Sequence, residues 1–422
     1  MYSSNDQSLE ATASTSSSAD HLGESSSQPS PAPPSFQTGY VATFTVAHGV
    51  HDTYSSFMAP LLPSLIANLS LSMTEAGLLD FARTILSILQ PLIGHLGDRV
   101  NLRYLVILAP ALTGTMMSLM GIAPTYAVLV MLALAAGLGS AALHAVAPAM
   151  AGRAAGAKLG WGMGVWMVGG SIGFAVGPVI IVAVLDHLGL RATPWLMIAG
   201  WIASAFLFVR LRDVSTISPT SQHRGSLREG LHALRPLMFP LVAIIGVWAL
   251  LVSARMTFLP TFLIQEGESL WFAGISLTAQ TGVGWIGALM GGAVSDRWGR
   301  RPVVFVCMSS AALLMFAFLA INGWARLPIL MLIGITAPAT RTVLMALVQE
   351  SCPNNRAMAN GMFLAISFIL ESGSAVVVGA LGDIFGLRTA FTVSALILLV
   401  GSPLVRLLPA RATGPTPDRR PS

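Results

Sequence analysis

Charge is what this sequence has least of. Asp, Glu, Lys and Arg together make up 10% of its 422 residues, where a soluble domain carries about a quarter. With so few charges and a mean hydropathy of +0.73, most of the chain has lipid rather than water for its solvent. Cysteine is almost absent too. Cys307 and Cys352 fall in different segments without metal-ligand spacing, so neither a disulfide framework nor a zinc site is expected. No Gly-Lys dipeptide occurs, which excludes a phosphate-binding Walker loop and leaves a gradient as the energy source for any work. The formal charge of +5 comes from arginines scattered through short loops, not from a continuous patch, so nucleic acid is not expected as a partner. No basic stretch precedes an apolar core near the start, and the first apolar run is expected to stay as a helix rather than be cleaved as a signal peptide.

What the sequence has instead is long apolar runs. Twelve of them, from 39–66 to 389–408, are long enough to cross the roughly 30 Å of hydrocarbon that takes about 20 helical residues. They lack the period-2 alternation of barrel strands, and only helices and closed barrels satisfy backbone polar groups in lipid. The expected fold class is therefore an all-α membrane protein of twelve transmembrane helices. Residues 1–37, rich in Ser and Pro, read as a disordered cytoplasmic tail. A six-helix half follows over 38–212, then a basic linker over 213–235, a second half over 236–409 and a tail over 410–422.

The halves are copies. Gly94, Asp98, Arg99 and Arg103 recur 198 residues later as Gly292, Asp296, Arg297 and Arg301, in a turn that also holds Gly299 and Arg300. Asp186-x-x-Gly189-x-Arg191 recurs 197 residues later as Asp383-x-x-Gly386-x-Arg388. Pro63 and Pro260, Gly137 and Gly334, and Gly164 and Gly361 keep the offset of 197 away from the turns. A repeat of this length means two equivalent halves, a plan that places a transporter's site between them near mid-membrane. Counting Lys and Arg by loop gives seventeen on the side of both termini and three opposite, Arg191, Arg326 and Arg388. Both termini are therefore expected in the cytoplasm.

Arg83, Arg255 and Arg341 lie within apolar runs, where each costs roughly 2.5–3.5 kcal/mol unless it faces a partner or water. Arg255 and Arg341 would suit a phosphonate, phosphate or carboxylate through paired hydrogen bonds. The alternative is internal neutralisation by Asp52 or Glu371. Asp80 and Arg83, three apart, are expected to pair with each other. In the first run, His48, Asp52 and Ser55 share a helical face, with His51 and Tyr54 beside them; an imidazole and a carboxylate there can exchange a proton. The other reading is a bond that staples helices. No metal site is expected, for want of further ligands on that helix. Glu371 is a second candidate proton carrier. The duplication places His144 at the position of Arg341 in the other half. Gly164, Gly173, Gly177 and Pro178 in the fifth run are expected to serve helix packing. Gly169-x-Ser171-x-Gly173 fits a hydrolase nucleophile pattern, but that pattern needs a strand before it, so no enzyme is expected.

The turn Gly292-x3-Asp296-Arg297-x-Gly299-Arg300-Arg301 resembles the loop signature of the major facilitator superfamily, and Gly164-x8-Gly173-x3-Gly177-Pro178 resembles its fifth-helix antiporter motif. His48, Asp52 and Tyr54 with Pro60-Leu61-Leu62-Pro63, then Gln90-Pro91, Gly94, Gly137-Leu138-Gly139-Ser140-Ala141 and Leu143-His144, resemble the fosmidomycin resistance protein family. The chain departs from that family at Ala145 and in the charges of Asp80 and Arg83. The resemblance implies proton-linked export of a small anionic drug or metabolite by alternating access, from a monomer in the inner membrane and without a cofactor. It implies that the first, fourth, seventh and tenth helices line the cavity, which puts Asp52, His144, Arg255 and Arg341 around one site, and that Asp98 and Asp296 lock the cytoplasmic side; Tyr54 is expected at the substrate, and His48, His51, Asp52 and Glu371 are the expected proton carriers. Proton-coupled uptake, passive conduction and a sensor on the same scaffold remain open alternatives.

Overall fold

The computed structural model describes residues 35–97, 100–212, 214, 227–352 and 356–409; of residues 97, 227–233 and 356–358 it describes the backbone alone. Among these residues the structure is helical, with no strand. The helices are α1 (Thr38–Ser55), α2 (Met58–Leu69), α3 (Met73–Ile85), α4 (Gln90–Gly97), α5 (Arg103–Leu119), α6 (Tyr126–Ala155), α7 (Leu159–Leu188) and α8 (Met197–Leu211) in the first half. The second half holds α9 (Leu227–Thr257), α10 (Leu259–Gln265), α11 (Leu270–Gly282), α12 (Gly284–Trp298), α13 (Arg300–Ala320), α14 (Arg326–Ser351), α15 (Arg356–Phe385) and α16 (Leu387–Gly401).

Each apolar run corresponds to one helix or to two in sequence, and the interruptions have local causes. Pro60 cannot donate to the Ser56 carbonyl, and α1 gives way to α2 across Ser56 and Phe57. Pro260 sits in the first turn of α10, where its missing N–H costs nothing, and the chain breaks at Phe258 before it. Pro91 follows a 3-10 turn over Leu86–Leu89 that separates α3 from α4. Gly282 and Gly284 flank the break between α11 and α12 at Val283. Such breaks are why nine stretches, one of them the 63 residues that hold both α6 and α7, are long and apolar enough to cross a membrane among the described residues. α9 begins at Leu227, inside the stretch expected to be linker. Of the expected linker and tails, residues 1–34, 213, 215–226 and 410–422 lie outside the described residues, as do Asp98 and Arg99.

The repeated Asp-x-x-Gly turns have a backbone reason. Gly189, Gly299 and Gly386 carry φ of +78°, +90° and +80°, a conformation that ends one helix and launches the next at little cost only for glycine.

The halves meet most tightly at the end away from the termini. There Asp383 of α15 accepts from the backbone N–H groups of Met73 and Thr74, at 2.6 and 2.9 Å. It caps the N-terminus of α3, whose own capping box joins Ser72 and Glu75. One turn further, a Cβ on Gly77 would strike the Ala375 carbonyl, so the two backbones touch. Between α7 and α11, Thr278 donates to the Ala175 carbonyl at 2.8 Å and Trp271 to Asp186 at 2.7 Å.

Candidate functional site

The first half builds a cluster of hydrogen-bond acceptors. Cβ atoms on Gly173 and Gly177 would strike the carbonyls of Gly49 and Thr53, so α1 and α7 run in backbone contact. That approach brings the His48 ring onto Trp166, stacked at 3.9 Å between centroids, with Nδ1 3.0 Å from the Trp166 carbonyl. Asp52, one turn along α1, places Oδ2 3.2 Å from His48 Nε2. His144 arrives from α6, its Nδ1 3.0 Å from the Ser140 carbonyl and its Nε2 3.2 Å from His48 Nε2 and 3.7 Å from Asp52 Oδ1. A carbonyl can only accept, so each Nδ1 carries its ring's proton and each neutral ring turns an Nε2 lone pair inward. With both rings neutral, three acceptors converge there. His51 is buried edge-on to His144, at 5.5 Å between centroids. Ser55 serves His51, at 3.4 Å, and not the His48–Asp52 pair whose face it was expected to share.

The second half builds the opposite, a cluster of donors. Arg341 of α14 pairs with Glu371 of α15 and lies over the Trp248 ring, 5.5 Å from its centroid. Arg255 of α9 is 2% exposed, within electrostatic reach of both, and its Nη1 is buried with no hydrogen-bond partner. Two guanidiniums therefore share one carboxylate. The Arg341 and Glu371 side chains keep 33% and 17% of their surface, so a solute can reach the pair. Glu371 is held in register by Ser253, whose hydroxyl donates to the Glu371 carbonyl at 2.7 Å.

Asp80 and Arg83 pair as the spacing predicts, at 2.6 Å, but the carboxylate does more than that. It also accepts from Thr257 of α9 at 2.7 Å and so bridges the halves. A cavity of about 40 Å³ beside this bridge touches Ser55, Asp80, Arg83, Met256 and Thr257. A larger space of about 450 Å³ opens between α7 and α12, lined by Val168, Ile172, Val176 and Trp285 among others.

Several expectations need correction. Tyr54 does not face the substrate region: it is buried, its hydroxyl donates to the Leu196 carbonyl at 2.5 Å, and its ring packs on Phe57. Gly164 has open space where a Cβ would stand, so it is not a packing glycine, unlike Gly173 and Gly177. Pro178 does serve packing, as expected: its carbonyl faces Gly274 of α11 in the other half. Arg326, counted among loop residues, is fully buried between Phe262 and Phe318 and reaches Glu266 and Glu268. The charged turn at Asp296 is also tied within its own half. Arg300 bonds Ser295, Asp296 at 2.7 Å, and Glu350 at the end of α14. Glu350 was missed, although a lone carboxylate ending an apolar run beside a basic turn is a signal for it. Around this turn, Arg297 is exposed, Arg301 keeps Nε buried without a partner, and Gly292 lies near Thr342. In the first half, Gly94 faces the Ala145 carbonyl and Arg103 stacks on Tyr104.

Two duplicated helical halves around an interior charged cluster define a multi-pass membrane transporter and not an enzyme. The Major Facilitator Superfamily pattern matches residues 44–372 and again 272–421, and the chain belongs to that superfamily. It is 26% identical over 382 residues to an uncharacterized MFS-type transporter, YfnC, of Bacillus subtilis (strain 168), covering 86% of this chain and 91% of that one. It is 21% identical over 375 residues to the fosmidomycin resistance protein of Escherichia coli (strain K12), with the same coverage. Among solved structures it resembles a bacterial homolog of the human lysosomal transporter Spinster in an inward-facing, unoccupied conformation. There the TM-score is 0.74 at 14% identity, over 88% of this chain and 98% of the other.

Proposed function

We propose that the chain is a proton-coupled transporter that exports a small organic anion by alternating access. The observation that carries the anion is Arg255, buried with an unpartnered Nη1 beside an Arg341 that shares Glu371. A buried cation short of acceptors is costly, and a phosphonate, phosphate or carboxylate supplies the paired oxygens that guanidinium takes best. Kinship with the fosmidomycin resistance protein supports export against protons and names the first compound to try. The arginine count supports cytoplasmic termini, and a bundle complete in one chain supports a monomer in the inner membrane, crossing it twelve times.

Glu371 is the proton carrier tied most directly to the anion, because both compete for Arg341. That competition favours a second direction. An anion that displaces Glu371 leaves an unpaired carboxylate in an apolar cavity; that carboxylate takes up a proton and gives it back when the anion leaves on the other side, so that proton and anion cross together as a symport. His48, His51 and Asp52 stand in the other half among acceptors that call for a cation of their own.

The test is uptake of labelled fosmidomycin, and of small phosphonates and carboxylates, into proteoliposomes under pH gradients of either sign. Accumulation driven by an acidic lumen supports exchange; accumulation driven by an acidic exterior establishes symport. Indifference to both gradients overturns proton coupling, and no movement of any anion overturns the anion assignment. Glu371→Gln should move the anion without regard to the gradient.

A further inference from the structure

The cluster on α1 and α6 has a geometry that a proton alone does not require. His48 Nε2 stands 3.2 Å from His144 Nε2 and 3.2 Å from Asp52 Oδ2, His144 Nε2 stands 3.7 Å from Asp52 Oδ1, and one ligand atom from each residue can be chosen so that all three lie within 4.8 Å of one another. Ligands bonded to zinc at 2.0–2.2 Å in a tetrahedron are separated by about 3.4 Å along each edge. The two imidazole nitrogens already stand near that edge length, and the carboxylate spans the third corner with one oxygen toward each of them. Their tautomers are set as well. Each imidazole gives its Nδ1–H to a main-chain carbonyl, Trp166 for His48 and Ser140 for His144, at 3.0 Å in both cases. That outer bond orients histidine ligands in metal sites and leaves Nε2 free to coordinate. Among the described residues no Lys or Arg bonds to the cluster. His48 is 5% exposed at its side chain while Asp52 and His144 keep 15% and 28%, so the site is closed behind and open in front.

We propose that His48, Asp52 and His144 bind a divalent transition-metal ion of the zinc class, with a fourth position open to the cavity. Nitrogen and carboxylate donors in a tetrahedral set select zinc or cobalt over magnesium and calcium, which need six or more oxygens. The sequence does not show this site, because two ligands lie on α1 and the third comes 92 residues after Asp52, from α6. A bound ion ties α1 to α6 through the interior of the first half. The assignment does not depend on the anion reading, since it concerns equilibrium binding in the absence of transport.

The test uses the full chain, purified in detergent with any polyhistidine tag removed, and titrated with Co²⁺ while visible d–d absorption is followed. One Co²⁺ per chain with the intense band of tetrahedral coordination, displaced by Zn²⁺ and not by Mg²⁺ or Ca²⁺, is the expected result. His144→Ala and Asp52→Asn should each weaken binding by about 100-fold, since even outer-shell changes cost 10–100-fold. His187→Gln, at a distant helix end, should leave it unchanged. Thermal unfolding of the metal-free variants checks that they are folded; the parent titration decides the matter even if one of them is not. No saturable tetrahedral band in the parent, or a band that survives both substitutions, overturns the proposal.

Discussion

The two halves descend from one pattern, yet they carry opposite chemistry at matched positions. His144 on α6 and Arg341 on α14 are 197 residues apart. The first half gathers three acceptors around an empty donor role, and the second gathers two guanidiniums around one carboxylate with a donor to spare. In the proposed readings a cation completes one cluster and an anion the other. Duplication therefore supplied the frame, and divergence at a few interior positions supplied two unlike sites facing the same bundle interior. The seams differ in the same way. Gly49 of α1 lies against the Gly169 carbonyl, 3.0 Å from where its Cβ would stand, whereas its counterpart Gly246 in α9 has open space there.

The comparison breaks most sharply at Arg341. Arg341→Ala strands Glu371 and removes one of the two guanidiniums proposed to hold the anion, a loss of about 3 kcal/mol for a charged hydrogen-bonded pair, or roughly 100-fold. Anion binding should fall by that factor while Co²⁺ binding at the other cluster stays as it was. If both fall together, the clusters are not independent. Next comes the seam. Gly173→Val should destabilise the folded chain by about 3 kcal/mol, because the new side chain must part α1 from α7. Gly246→Ala, facing open space, should change thermal unfolding by no more than about 0.5 kcal/mol.

A third test lies at the end away from the termini, where Glu266, Glu268, Arg326 and Arg388 form a charged network in the second half. Glu266 is held below its usual carboxylate range chiefly by the hydrogen bond from Arg388, with Arg326 adding to it. A carboxyl whose affinity for protons falls on folding stabilises the fold above its usual value of 4.5 and loses that contribution as pH drops. Glu266→Gln should therefore lower the unfolding temperature at neutral pH, by the equivalent of about 1–2 kcal/mol. The gap from the parent should close as the pH falls below about 4.5. A gap that does not change with pH would show that packing, not charge, holds this corner. The smallest effect is expected at Gly164→Ala, within about 0.5 kcal/mol; a large loss there would restore Gly164 to the packing seam from which the structure removes it.

Much of this was legible in the chain. Apolar runs of helical length, too long for strands and without alternation, fix helices in lipid because the backbone there has no other partner. The constant offset of 197 fixes two halves and pairs His144 with Arg341 before any coordinates. Expense singled out Arg255, Arg341, Asp52 and Glu371 as interior residues too costly to bury alone. Spacing alone found the Asp80–Arg83 and His48–Asp52 pairs, both of which close within one helical turn. What spacing could not give was any partner on another helix. Tyr54 meets the Leu196 carbonyl, Asp80 meets Thr257, Arg300 meets Glu350 and His48 meets His144, and each pair is joined only by packing. The sequence by itself determined where the helices run and which residues had to find partners, because those follow from hydrophobicity and from the cost of burying charge. Tertiary structure alone decided which partner each found, because hydrogen bonds act over about 3 Å and the segments they join stand tens to hundreds of residues apart.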